Sequence, residues 1–356
     1  MRRHGNLYPR IASFENVLRA ARQAQRCKRY RGDVLAFNHD IEQHAIELTR
    51  ELETMTYCPG AYKTFVIYEP KRRLISAAPY RDRVVHHALC NVIEPIVDRT
   101  FVDSCYANRI GKGTHKALDH FTALARRYRY CLHADVEKYF PSIDHAILRE
   151  RIRRHIKCPN TLSLIDAILE NSNEQEPAAH YFPGDDLLSP YDRRKGLPIG
   201  NLTSQLWANL YLARADHVMA QRFGGTRYLR YVDDIAVFSD SADELTDART
   251  LLKDELALLR LNLHPVKTQI SRVSCGVNFL GFRVFPDRVR LRQENLRRAR
   301  KRMRGLRRSY ASGSIGLDAV TMSIQSWVAH VSYGDTWRLR ERVLEGLVFR
   351  RAYLTH

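Results

Sequence analysis

Two adjacent aspartates, Asp233 and Asp234, stand between two apolar runs in the stretch from Arg227 to Asp240. Tyr228–Leu229 on one side and Ile235–Phe238 on the other are rich in aromatic and β-branched residues. That pattern predicts two strands with the acidic pair at the turn between them. Neighbouring carboxylates repel, so a turn that carries two of them is costly unless a cation sits there. A hard cation such as Mg²⁺ takes oxygen ligands and leaves room for substrate phosphates. A solvated hairpin turn would explain a bare Asp pair equally well, because Asp favours turns. A metal site therefore needs a third carboxylate from elsewhere in the chain.

The charge balance narrows the partner. The chain has 356 residues, 44% of them apolar, and a formal net charge of +19. That is enough for a sizeable core and more than one subdomain. A fold does not need such an excess of cations, whereas affinity for a polyanion rises with it through counterion release. Nucleic acid is the leading partner and an anionic membrane surface the second. No apolar run approaches the roughly 20 residues of a membrane-spanning helix. The start, MRRHGNLYPRIASFENV, has no apolar signal core, so a cytoplasmic location is expected. Seven cysteines without a CxxC pair fit reduced thiols better than disulfides or zinc.

The rest of the chain reads as alternating helical and extended segments. Residues 1–60 are expected to be mostly helical, with periodic runs over Ile11–Arg31 and Ile41–Met55. YKTFVIYEPKRRLIS, Tyr62–Ser76, reads as strand, turn and strand, with Lys71, Arg72 and Arg73 at the turn; such a cluster is either solvated or placed to cover a triphosphate. Helices are expected at Val84–Val97 and Ala117–Arg127. Tyr130–Val136 is a short apolar strand that reaches Asp135, and Asp144 opens a helix over His145–Ile156. Another helix is expected at Leu162–Leu169. Asn171–Lys195 is rich in turn formers and reads as an irregular surface segment. Gly196–Leu212 passes from a Gly/Pro turn into an amphipathic helix, and Leu245–Leu259 is a second, charged one. Asn278–Phe285 is a hydrophobic hairpin fragment. Beyond it eight Lys and Arg crowd the helix between Arg297 and Arg308, and further helices follow at Ile324–His330 and Trp337–Leu347.

Asp135 at a strand end and Asp233–Asp234 at a hairpin supply three carboxylates. Brought together from adjacent strands, they would hold two divalent ions about 4 Å apart, one at a primer 3′-hydroxyl and one at a triphosphate. At this point the sequence resembles the reverse transcriptase family over nearly its whole length. DVEKYFPSID resembles the first palm motif of that family, GLPIGNLTSQ the second, YVDD the third and HPVKT the fourth, while PKRRLI looks like the fingers hairpin and FLGF like the primer grip. The resemblance implies an α+β right-hand polymerase with fingers, a palm built on an antiparallel sheet, and a helical thumb. It implies an N-terminal region and fingers over 1–130, a palm over 131–285 with a helical insertion at about 145–195, and a basic thumb over 286–356.

The same resemblance assigns roles. Asp135, Val136, Asp233 and Asp234 would hold two Mg²⁺ ions, with Mn²⁺ as a substitute. Lys267 would stand at the leaving pyrophosphate as a catalytic residue. Lys71, Arg73, Phe140, Ile199, Gly200 and Gln205 would bind the incoming nucleotide, Phe140 as the ring that rejects a 2′-hydroxyl. Arg300, Lys301 and Arg304 would grip nucleic acid. The implied partners are a template RNA, a DNA or RNA primer, the RNA–DNA hybrid and deoxynucleoside triphosphates, with no membrane.

Within the family, IGNLTSQ is most similar to the enzymes of diversity-generating retroelements, which make cDNA mutagenised at adenines and use a small basic accessory protein. A bacterial or phage-encoded enzyme is the implied source. A phage-defence or group II intron-like reverse transcriptase and a catalytically idle nucleic-acid-binding protein on the same fold are the other readings. RNA-templated RNA synthesis is disfavoured by Phe140.

Overall fold

In a computed structural model, residues 3–68, 72–173, 175–176 and 180–351 are described. The chain separates into two compact units that are each discontinuous in sequence. One comprises Met1–Gly111, Ala134–Ile235 and Ala248–Thr268; the other comprises Lys112–His133, Ala236–Asp247 and Gln269–His356. The expected α+β composition is present, with helices and antiparallel strand pairs in both.

In the first unit the N-terminal helices are short because the backbone breaks often. The periodic run expected over Ile11–Arg31 is two helices, Tyr8–Ala12 and Phe14–Ala24, and the helical path ends there. Past Ala24 the chain turns, and Cys27 takes a left-handed conformation (φ 59°) that no helix interior allows. The helix Phe14–Ala24 packs on Tyr80–Asp98, and polar groups fix the packing. The buried Asn16 amide donates to the carbonyls of Ile11 and Ala88, and the Tyr80 hydroxyl donates to Ala21 at 2.8 Å. The helix Tyr80–Asp98 starts four residues before the expected Val84, because Pro79 presets its entry. Strands β1 (Lys63–Ile67) and β2 (Arg73–Ala77) form an antiparallel hairpin in which Ile67 faces Arg73.

Strand β3 (Tyr130–Asp135) lies between β5 (Asp234–Ser239) and β6 (Gln269–Arg272), and β4 (Tyr228–Tyr231) flanks β5, giving the order β4-β5-β3-β6. β3 and β5 have residues in both units. Apolar residues at nearly every position of β5 match a strand covered on both faces. The amphipathic helix expected within Gly196–Leu212 is the first half of a longer one, Leu202–Phe223, and is buried almost all round from Thr203 to Ala213. Among its buried polar residues, Asn209 and Asp216 need partners for that reason.

In the second unit a three-stranded meander, β7 (Val277–Phe279), β8 (Phe282–Val284) and β9 (Val289–Leu291), replaces the two-stranded fragment read from sequence. Phe121, on the helix Thr114–Arg127, stacks on Phe279 at 4.3 Å and meets Phe238 edge-on at 4.9 Å. The basic helix Gln293–Ala311 buries Leu296, Ala299 and Met303 along one face and exposes Arg300, Lys301 and Arg304. Helices Leu317–Val331 and Trp337–Leu344 complete the unit. Among the described residues, no helix is long and apolar enough to cross a membrane.

Candidate active site

The three carboxylates converge. Asp135 is the last residue of β3, and its neighbour Val136 donates its backbone N–H to the carbonyl of Asp233 at 3.2 Å. That bond ties the end of β3 to the turn that joins β4 and β5. The opposite side of the strand end is held by His264, whose N–H donates to the Asp135 carbonyl at 2.7 Å, and by Glu137, which donates to Asn262 at 2.9 Å. These bonds bring the HPVKT segment up to the site. Lys267 on it forms an ion pair with Asp135 Oδ2. Asp135 is 8% exposed. Burial first, then repulsion from Asp234 and Asp135, pushes the Asp233 carboxyl up to about 6.

The turn itself is strained. Val232 adopts φ 58°, a left-handed conformation that costs a β-branched residue about 1–2 kcal/mol. A donor compensates from inside the protein: Arg230 Nη1 bonds the Val232 carbonyl at 3.0 Å. Arg230 is 0% exposed. Its Nε and Nη2 each reach a carboxylate oxygen of Asp216 at 2.7 Å, and Nη1 also reaches Asn209 Oδ1 at 3.2 Å. The Tyr228 hydroxyl donates to Asp216 as well, at 2.5 Å. A buried ion pair from the helix Leu202–Phe223 thus underlies the acidic turn. Sequence reading missed Arg230 and Asp216. The signal was present: an arginine inside an apolar strand, and the lone carboxylate of a 22-residue helix.

The nucleotide-side residues hang on a second set of bonds. Fully buried Tyr139 donates its hydroxyl to the Ala208 carbonyl and so fixes the short helix Tyr139–Ser142, which carries the half-buried Phe140. The Phe140 carbonyl accepts from Leu197 N–H at 2.9 Å, and His145 Nε2 is 2.8 Å from the Gly196 carbonyl. Phe140 and the Leu197–Gly200 loop are therefore one local structure. Ile199 is half-buried, and Gly200 is exposed at φ 117°, a backbone position that a side chain strains. Asn201 donates to the Tyr62 hydroxyl at 3.1 Å, which ties the loop to the base of the β1–β2 hairpin. Burial first, and Asp82 second, raises the Tyr62 phenol to about 12. Gln205 lies in the first turn of the helix Leu202–Phe223 and is half-buried. Arg73 opens β2 and is exposed, and Arg72 pairs with Glu176 at 3.7 Å. Lys71 lies outside the described residues.

The donor set suits a divalent cation. Among the described residues no three His, Cys, Asp or Glu side chains stand as a finished metal site. The Asp135 carboxylate is paired with Lys267. Yet three carboxylates, with the half-buried Asp233 raised by desolvation and its neighbours, form a site whose repulsion a cation would relieve. Hard oxygen donors of this kind match Mg²⁺. Val136, with an apolar side chain, can add only its main-chain oxygen.

Residues 68–284 match the family described as Reverse transcriptase (RNA-dependent DNA polymerase). Protein YkfC of Escherichia coli is 25% identical, over 63% of this chain and 67% of its own. The group II intron-encoded protein LtrA of Lactococcus lactis subsp. cremoris is 25% identical over 51% of this chain and 29% of its own. Nuclear intron maturase 1 of Arabidopsis thaliana is 23% identical, over 48% of this chain and 24% of its own. The chain thus spans under a third of the two intron-related proteins. Among solved structures, the telomerase of Candida albicans in complex with a fragment of telomeric RNA aligns with a TM-score of 0.47 at 10% identity, over 82% of this chain and 56% of its own. With the family matched across more than half its length, this chain belongs to the reverse transcriptase (RNA-dependent DNA polymerase) family.

Proposed function

We propose that this reverse transcriptase copies a template RNA into cDNA at Asp135, Asp233 and Asp234, and that it serves a diversity-generating retroelement. The observation that carries the first part is the Val136–Asp233 backbone bond, which holds carboxylates from two strands at one point. Divalent cations bound there would activate the primer 3′-hydroxyl and neutralise charge on the leaving pyrophosphate. The protein's own part is to keep the carboxylates pre-organised: Arg230 fixes the turn, and His264 fixes the end of β3. Lys267, paired with Asp135, would give its proton to the pyrophosphate. Phe140 lies against the loop that carries Ile199, where its ring would crowd a 2′-hydroxyl and select deoxynucleotides. The exposed cations of the helix Gln293–Ala311 serve the RNA–DNA hybrid. A small basic accessory protein and a cytoplasmic setting belong to the same proposal.

The retroelement assignment rests on Ile199 and its motif. Isoleucine there offers packing but no hydrogen bond to the nucleotide sugar, where an amide would offer one. One such bond is worth about 1 kcal/mol, a several-fold effect on discrimination. Fidelity opposite template adenine is the property affected. The similarity to LtrA favours a second reading, an enzyme tied to an intron RNA.

Primer extension on an RNA template with Mg²⁺ tests the polymerase. The wild type should make cDNA and Asp135→Asn should make none, with an unchanged fold. Sequencing cDNA from the wild type and Ile199→Gln on one template tests the rest. Fewer errors opposite adenine in the variant are expected; an unchanged rate would mean that Ile199 only packs.

A further inference from the structure

The second unit carries a concentration of cations that the polymerase site does not use. A surface pocket of about 340 Å³ is lined by the end of the helix Thr114–Arg127, the residues leading into β3, the end of β6 and Pro286. Arg126, Arg127, Arg129 and Arg272 stand around it, all exposed. Tyr128 and Tyr130 supply its aromatic wall. The Arg127 guanidinium lies 5.4 Å from the Tyr128 ring centre, and that of Arg272 lies 6.0 Å from the ring of Tyr130.

An ordinary solvated face intersperses its cations with carboxylates. Among the described residues none of these four guanidinium groups has a carboxylate partner. Asp240 is close in the fold, but it accepts from the Arg129 backbone N–H at 3.0 Å and so serves the main chain. The pattern continues on both sides of Pro286. There the Phe285 ring has the guanidinium groups of Arg288, Arg283 and Arg290 within 4.6, 5.5 and 5.9 Å. Asp287, the carboxylate in that segment, pairs with Arg288.

Like charges gathered around a pocket repel one another, and a bound polyanion relieves the repulsion. Guanidinium forks match phosphates, while tyrosine rings and guanidinium planes stack unpaired bases. A lipid surface fits less well, since none of the exposed large apolar side chains lies on this patch.

We propose that this arginine–tyrosine pocket is a second RNA-binding site, which grips an unpaired part of the template RNA that is not being copied. The identity of the RNA as template rests on the polymerase reading. None of the residues is among those assigned to the nucleotide or metal site, and Tyr130 lies five residues along β3 from Asp135.

The test uses the full chain with Arg126→Gln, Arg127→Gln and Arg129→Gln combined. Binding of a long fluorescent single-stranded RNA is measured across a salt series beside the wild type. With three guanidinium–phosphate pairings removed, the slope of log affinity against log salt should shrink by about two, and affinity at moderate salt should fall on the order of tenfold. Extension of a short primer–template hybrid should keep its wild-type rate. A second variant on a different element, Arg272→Gln, should move both binding quantities in the same direction, so a folding defect in the first cannot decide the result. An unchanged salt slope in both variants overturns the proposal. An equal loss for single-stranded DNA of the same length overturns the assignment to RNA, because the 2′-hydroxyl would then play no part. A wild type that binds RNA through this pocket yet makes no cDNA would instead sink the polymerase reading and leave the RNA site standing.

Discussion

Asp216→Asn should cost this enzyme a large share of its stability while it changes almost no atoms. Asp216 is 0% exposed and accepts three hydrogen bonds, two from Arg230 at 2.7 Å and one from Tyr228 at 2.5 Å. The amide keeps the volume but removes the charge, and it turns an NH₂ group toward a guanidinium that has only donors. The buried Arg230 is then uncompensated. Breaking one side of such a pair costs about 3–5 kcal/mol, against a total stability of about 5–15 kcal/mol. With an unfolding slope of about 2 kcal/mol per molar urea, the midpoint should fall by roughly 1.5–2.5 M. Tryptophan fluorescence can follow it, since Trp207 is 2% exposed on the same helix as Asp216. A shift below about 0.5 M would refute the reasoning, because the pair would then be reached by water. A second variant separates stability from positioning. Asp216→Leu with Arg230→Met and Tyr228→Phe replaces the pair and the hydroxyl bonded to it by apolar groups and should recover most of the lost stability. The Val232 carbonyl would still lack its donor, so kcat should stay low while KM for the nucleotide changes little. Full recovery of kcat would show that Arg230 does not hold the acidic turn.

Two further outcomes follow from the charges. In EDTA the folded Asp233, at about 6 against an ordinary 3.8, binds its proton more tightly than the unfolded chain does. Its ionisation therefore costs stability as pH rises through that window, about 3 kcal/mol in all, and none of this loss is present below pH 4. Asp233→Asn should raise Tm in EDTA at pH 8 while it abolishes polymerisation, and Mg²⁺ should narrow the Tm gap; an unchanged Tm in scanning fluorimetry argues against the carboxylate cluster. Replacing Arg300, Lys301 and Arg304 by Ala should weaken hybrid binding for every sequence and flatten its salt slope by about two to three. A sequence-dependent loss in a titration would assign that helix another task.

Much of the site is legible in sequence because its signals are local. The acidic pair marks a turn by charge alone. Asp144 accepts from the N–H groups of Ala146 and Ile147, as a helix cap does, and those partners lie two and three residues away. Long segments with one period, such as the helix over Ala242–Ala257, stand within a few residues of their expected bounds. The N-terminal run failed because periodicity does not register a left-handed residue such as Cys27. The helical part of Gly196–Leu212 looked amphipathic because Thr203, Ser204 and Asn209 are polar, and a pattern of polarity cannot tell a solvated polar side chain from one buried inside the protein.

By itself the sequence determined where most helices and strands lie, how strongly basic the chain is, and which residues are candidates for the chemistry. These depend on neighbours within a turn of helix or a strand pair. Tertiary structure alone decided that Asp135 meets Asp233, that Lys267 lies on Asp135, and that Arg230 finds Asp216 fourteen residues away. Those partners come together only when β3 enters the sheet beside β5 and the long helix is buried beneath the hairpin. Burial then sets the energies: the same carboxylates that would be ordinary in water become a cluster whose repulsion a cation would relieve, and the same arginine becomes the support of a strained turn.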